Sequence, residues 1–212
     1  MDFLEKWLVR FMGGRSQLQK ALTVAVANRD GVVAPPATMQ RYKLGDETVI
    51  EFVEGLFNTR RRRTLRVTFA DSNRAEINNG ELIYDQAGVL LKDNYGVRSP
   101  GKLEAPSDMA VGKKWKTAYE NIPIKGPIET NFVEYEVVGL ETVKVPEGTF
   151  KAYKVIGRGE SRSISNFHRI ESKAWYDSTS FRLIRLQFSF HEGLGTTANV
   201  LWESVSFKRI VD

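Results

Sequence analysis

Asn78-Asn79-Gly80-Glu81-Leu82-Ile83-Tyr84-Asp85-Gln86-Ala87-Gly88-Val89-Leu90-Leu91 is the stretch that decides the fold class. Asn-Asn-Gly offers the residues that tolerate the left-handed backbone of a tight hairpin turn. The short run Glu81-Leu82-Ile83-Tyr84 follows at once, and Asp85-Gln86-Ala87-Gly88 turns the chain again into Val89-Leu90-Leu91. Apolar runs this short between turn formers read as strands. Upstream, Leu65, Val67 and Phe69 alternate with Arg66 and Thr68, and Thr48, Ile50 and Phe52 alternate with more polar neighbours. Four or five short antiparallel strands are therefore expected between residues 40 and 92.

Outside this block the patterns change. Residues 95–108, rich in Gly, Pro and Ser, read as a linker. At the N-terminus, Asp2 and Glu5 resemble a capping box. Phe3, Leu4, Trp7, Leu8 and Phe11 then repeat at helical spacing until Gly13-Gly14. This short amphipathic helix either packs on the body of the fold or touches a membrane surface or partner. Residues 16–27 read as a second helix or a strand. Ala25-Val26-Ala27 has the small-x-small shape of a cleavage site, but the apolar run is only barely long enough and its forerun is too long and too mixed for a convincing signal peptide. Residues 28–38 are linker.

The second half repeats the order of the first. Leu44-Gly45-Asp46 matches Val111-Gly112-Lys113, and an aromatic stands seven residues past each glycine, Phe52 and Tyr119. Val67 and Phe69 match Tyr135 and Val137, Gly80 matches Gly148, and Leu82 matches Phe150. Tyr84-Asp85 matches Tyr176-Asp177, with residues 153–175 inserted as a further hairpin whose polar tip is 157–163. The expected fold is mostly β. It comprises two related antiparallel β-sheet units, each a curved sheet or half-barrel, and a short N-terminal helical segment. The divisions are 1–38, a first unit 39–94, the linker 95–108 and a larger unit 109–212.

Val143-Lys144-Val145-Pro146-Glu147-Gly148-Thr149-Phe150-Lys151-Ala152-Tyr153-Lys154-Val155, followed by Lys173-Ala174-Trp175-Tyr176-Asp177, resembles a bacterial envelope β family. Its members share a V-x-V-P-x-G-T-F-x-A-x-x-V … W-Y signature and a curved antiparallel sheet akin to that of the lipoprotein carrier LolA. Residues 44–116 also look like the β-rich C-terminal region of some bacterial caspase-like proteins, with their G-D-x-W and G-G-E-L-x-x-D-x-x-G patterns. Gly45-Asp46-Glu47-Thr48 lacks that tryptophan, and Trp115 supplies it in the second copy. The resemblance implies a periplasmic or cell-envelope setting, a hydrophobic ligand and no catalytic residues. Pro146 and Gly148 would shape a turn, while Phe150 and Trp175 would fill the core.

Composition narrows the function. The 212 residues contain no cysteine, which excludes disulfides, a thiol nucleophile and thiolate metal sites. No apolar run approaches the ~18 residues of a membrane helix. The two histidines, His168 and His191, lack metal-ligand spacing, Gly193-Leu194-Gly195 is an incomplete dinucleotide loop, and no G-x-S-x-G elbow occurs. A non-enzymatic protein without cofactor or metal is expected.

The net charge of +5 favours anionic surfaces, and Arg60, Arg61, Arg62 and Arg63 concentrate it, either as a solvated turn or as an anion-binding patch. Nucleic acid is disfavoured because no stacking aromatics accompany them. Two functions follow. One is a structural or protein-interaction domain of an envelope-associated protein, whose partner is another envelope protein. The other is a carrier for a lipid or other amphiphile, held by Phe52, Phe69, Trp115, Phe150, Trp175 and Phe188 on a concave sheet.

Overall fold

Asn78, Asn79 and Gly80 hold consecutive left-handed backbone, with φ of 51°, 58° and 83°. They reverse the chain between two four-residue strands, as the Asn-Asn-Gly sequence requires. The computed structural model describes residues 42–54, 59–192 and 195–209. The expected N-terminal helix and its linker lie outside the described residues. Twelve strands follow one another: β1 (Glu47–Glu54), β2 (Thr59–Ala70), β3 (Arg74–Ile77), β4 (Leu82–Asp85), β5 (Val89–Lys92), β6 (Gly96–Leu103), β7 (Lys114–Pro123), β8 (Glu129–Val145), β9 (Gly148–Arg162), β10 (Phe167–Asp177), β11 (Leu183–Glu192) and β12 (Gly195–Lys208).

Every strand pairs antiparallel with its sequence neighbours, and β1 pairs with both β2 and β12. The sheet is therefore a closed barrel rather than two curved sheets or half-barrels. Closure satisfies the strand edges that two open units would have left exposed. Register shifts between Val49 and Ile50, Ile83 and Tyr84, Val137 and Gly139, Trp175 and Tyr176, and Phe190 and His191 supply local bends. Residues 95–108, expected as linker, contain β6. The Ser-Pro-Gly sequence that suggested a break is accommodated because Pro100 falls in the gap between β6's two sets of paired residues, Gly96 to Ser99 against β7 and Lys102 to Leu103 against β5.

The repeat has a structural counterpart. Gly45 N donates to Val67 O and Val67 N to Asp46 O, both at 2.9 Å. Gly112 N donates to Val137 O at 2.8 Å and Val137 N to Lys113 O at 2.9 Å. Both glycines are left-handed, at φ 84° and 89°. Tyr84-Asp85 ends the fourth strand of the first half, and Tyr176-Asp177 ends the fourth of the second. Two correspondences shift. Val67 matches Val137 rather than Tyr135, and Gly80 precedes a fourth strand whereas Gly148 precedes a third. Each half has six strands, so residues 153–175 are no added hairpin. The extra length extends β8, β9 and β10 to 17, 15 and 11 residues, and the β9–β10 turn falls at 163–166.

Two clusters fill the second half. The first packs Val133, Tyr135, Val137, Val155, Ile170, Ala174 and Tyr176 within the barrel. Gly157 and Gly159 make room here, since a Cβ on Gly157 would lie 2.6 Å from the Tyr135 ring and one on Gly159 2.0 Å from Phe132 O. The second cluster joins Val143, Val145, Ala152, Trp175 and Ile184. Ala174 and Trp175 are successive strand residues that point to opposite faces. This second core therefore lies on the other side of the sheet, covered by the far half of the β8–β9 hairpin.

Candidate functional site

In an up-and-down barrel alternate connections meet at opposite ends. At one end lie the connections β2–β3, β4–β5, β6–β7, β8–β9 and β10–β11, together with Tyr42 and Arg209. Here a cavity of about 150 Å³ is walled by Leu65, Val67, Ile77, Tyr84, Trp202 and Phe207. The short Thr48 pairs between Phe207 and Leu65 beside this space, and bulges interrupt β2 and β12 nearby.

Polar groups mark the cavity rim. Asp46 is 5% exposed; its Oδ2 accepts from Lys43 N at 3.2 Å and from the Arg209 guanidinium at 3.1 Å. Arg182 holds Glu147 through two nitrogens, at 2.5 and 2.9 Å, and lies 4.2 Å from the centre of the Phe207 ring. Ser204 Oγ donates to the same Glu147 carboxylate. Glu104 accepts from Lys102 Nζ at 2.7 Å. Burial works against the Lys102 ammonium, but the Glu104 carboxylate, with Tyr135 and Tyr119 nearby, outweighs it and holds the amine well above the usual lysine range. Burial also pushes the Tyr84 hydroxyl well up, and Glu104 adds to that.

The six aromatics expected to line one concave face are divided. Trp115 and Phe188 pack on the interior cluster, Trp115 stacking on Tyr135 at 5.1 Å. Phe150 and Trp175 belong to the second core, with Trp175 Nε1 donating to Glu141 at 2.6 Å. Phe69 is exposed with Arg74 against its ring at 5.3 Å, and Phe52 is half-buried opposite Trp202. None of the six lines the cavity. Tyr42, Tyr84, Tyr176, Phe181 and Phe207 do, and the sequence reading did not select them. The Tyr-Asp pairs at 84–85 and 176–177 were the available signal for two of them.

Arg60, Arg61, Arg62 and Arg63 lie inside β2 rather than in a turn, so they alternate between its faces. Arg60 and Arg62 bind Glu51 at 3.2 and 3.1 Å, and Arg63 binds Glu81. Three of the four are thus paired along the strand, and Arg61 is exposed. His191 Nε2 lies 3.9 Å from Glu171, and His168 meets the Phe190 ring edge-on at 6.1 Å. Among the described residues no group of three metal-ligating side chains occurs, and no helix is long and apolar enough to cross a membrane.

The opposite end of the barrel carries the other set of turns, β3–β4, β5–β6, β7–β8 and β9–β10 among them, and exposed apolar side chains stand on three neighbouring ones, where the cavity end shows Leu44 and Val111. Ile164, at the apex of the β9–β10 turn, is 95% exposed. Tyr95 in the β5–β6 turn is 75% exposed, and Ile124 and Ile128 flank the β7–β8 turn at 57% and 52%. Ile124 N donates to Tyr95 O at 3.0 Å, which ties two of these turns together. Asn166 N donates to Ser163 Oγ at 3.0 Å and Ser163 N to Asn166 O at 2.9 Å, bracing the turn that presents Ile164.

No family model matches the chain, and no curated protein does. Solved structures do. A provisionally assigned lipoprotein of Parabacteroides distasonis superposes with a TM-score of 0.50 at 11% identity, over 78% of this chain and 96% of that one. A provisionally assigned exported protein of Bacteroides fragilis with a YmcC-like fold gives 0.41 at 11% identity, over 79% and 97%. The hypothetical lipoprotein YmcC from Escherichia coli gives 0.41 at 12% identity, over 89% and 96%. The first of these likenesses is a likeness of fold.

Proposed function

We propose that the chain is a non-catalytic interaction domain of a bacterial envelope protein, acting through the hairpin-turn end of the barrel. The observation that carries this reading is the set of four exposed apolar side chains, Tyr95, Ile124, Ile128 and Ile164, on neighbouring turns of a closed sheet. Large apolar side chains held at turn apexes cost solubility and are a mark of contact surfaces. Closure removes the free strand edges through which β pairing would otherwise recruit a partner, so recognition falls to the turns. The fold likeness to the Parabacteroides distasonis lipoprotein supports the envelope setting. The test is photo-crosslinking in bacterial envelopes from a reactive residue placed at 164, with Val111 at the other end as reference. Adducts from 164 but not from 111 are expected; equal or absent adducts at both would remove the turn end as the contact surface.

A second reading, binding of a small amphiphile, is favoured by the cavity beside Tyr84 and Phe207. At about 150 Å³ it matches a site for one six-membered ring or a short alkyl group. It is smaller than the ~300 Å³ at which pockets for larger ligands begin. A whole acyl chain therefore exceeds it, and native mass spectrometry after solvent extraction should show a small bound molecule or none.

A further inference from the structure

We infer that the surface engaged by the turn end is an anionic lipid surface. This rests on the proposal that this end is the contact site. Three features of the turns point to lipid.

The first is shape. Ile164 stands alone between Ser163 and Ser165 at its apex, and Ile124 and Ile128 bracket Lys125-Gly126-Pro127. These are separate prongs, not a continuous face. A folded protein partner would need a matching pocket for each one. A lipid interface deforms around each prong and buries it among acyl chains.

The second is charge. Among the described residues the acidic groups beside these turns are turned onto partners of the same chain: Asp93 to Arg98 at 2.5 Å, Glu129 to Asn121 at 2.8 Å, and Glu81 to Arg63 and Asn78. The cations are displayed. Lys125 sits in the β7–β8 turn between the two isoleucines. Arg61 and Arg169 are exposed near the turns and make no ion pair among the described residues. Glu120, exposed on β7, is the nearest acidic exception. Apolar tips among outward cations are complementary to anionic headgroups over acyl chains.

The third is the layout of the aromatics. Tyr95 is at an apex, and Phe167, 44% exposed beneath Arg162 at 5.4 Å from its ring centre, sits just behind Ile164. The amphipathic Tyr95 ring suits the headgroup level of a bilayer, and the Phe167 ring beneath Arg162 adds apolar surface behind Ile164.

The absence of cysteine makes a direct experiment available. The full-length protein carrying Ile164→Cys is labelled with an environment-sensitive nitrobenzoxadiazole dye, and Val111→Cys provides the same label at the other end. Each is mixed with phosphatidylcholine vesicles with and without phosphatidylglycerol. With phosphatidylglycerol, the label at 164 is expected to shift to the blue and brighten, while the label at 111 stays unchanged and high salt reverses the effect. Ile124→Asp with Ile164→Asp should weaken vesicle sedimentation by about tenfold or more, and Lys125→Glu should weaken it only on the anionic vesicles.

Sedimentation without a change at 164 would mean that another part of the chain binds the vesicles, and would overturn the inference. So would an equal response to neutral vesicles. No response to any vesicle, together with envelope crosslinks from 164 to a protein, would overturn the lipid assignment while leaving the interaction-domain reading intact. No response in both experiments would remove both.

Discussion

Single side chains in this barrel are constrained most tightly where backbone approaches backbone. Gly159→Ala would drive a Cβ to 2.0 Å from the Phe132 carbonyl oxygen, so a loss of about 1–3 kcal/mol is expected in chemical denaturation. Gly139→Ala, with open space around its Cβ, should stay within about 0.5 kcal/mol of the parent. The tyrosines offer a second check. Burial first, with other buried groups contributing, raises the hydroxyls of Tyr84 and Tyr135 above the ordinary value. A folded pKa above the unfolded value of about 10 means that the stabilisation is complete below that pH and is lost as pH rises toward the folded value. Absorbance at 295 nm should therefore show these two of the seven tyrosines ionising only together with the unfolding seen by tryptophan fluorescence. A single smooth titration of all seven near pH 10, with the fold intact, would contradict their burial.

Among the elements, the β8–β9 hairpin extends furthest beyond its neighbours. Its turn reaches β12, where Glu147 N donates to Ser204 O at 3.2 Å while its carboxylate takes Arg182 and Ser204 Oγ. Glu147→Gln removes the anion from a largely buried guanidinium, and a cost of about 3 kcal/mol is expected. In Glu147→Gln with Arg182→Met the loss should fall well short of the sum of the two single losses, as a double-mutant cycle would show. This hairpin was legible in Pro146-Glu147-Gly148, as the first-half strands were in Asn78-Asn79-Gly80, because those turns are encoded by adjacent residues. β6 was hidden because Ser99-Pro100-Gly101 has the local chemistry of a linker, and only its neighbours on both sides make it a strand. The division of the six expected aromatics among different surroundings was equally hard to read. Alternation assigns faces correctly within an unbroken strand, but the extra residue Val138 between Val137 and Gly139 resets the parity of β8, so that Val137 packs inside while Val143 and Val145 join the second core, and a single sequence does not display it.

For the molecule as a whole, the all-β class and the order of most strands could be read from the chain, but the closure of two expected units into one barrel could not. Closure depends on β1 pairing with β12, whose residues carry no mutual signature. The cavity was equally hidden, since Tyr42, Tyr84, Phe181 and Phe207 come from four distant places that only the closed sheet assembles. That seam has a kinetic meaning. Asp46, just ahead of β1, and Arg209, just after β12, are bonded across 163 residues of chain, so the barrel cannot shut until its last strand has been synthesised. Contacts so distant in sequence make for slow folding. On the ribosome β1 waits with one side unsatisfied while eleven strands follow, and this interval is when the nascent chain is most exposed to aggregation and most dependent on a chaperone.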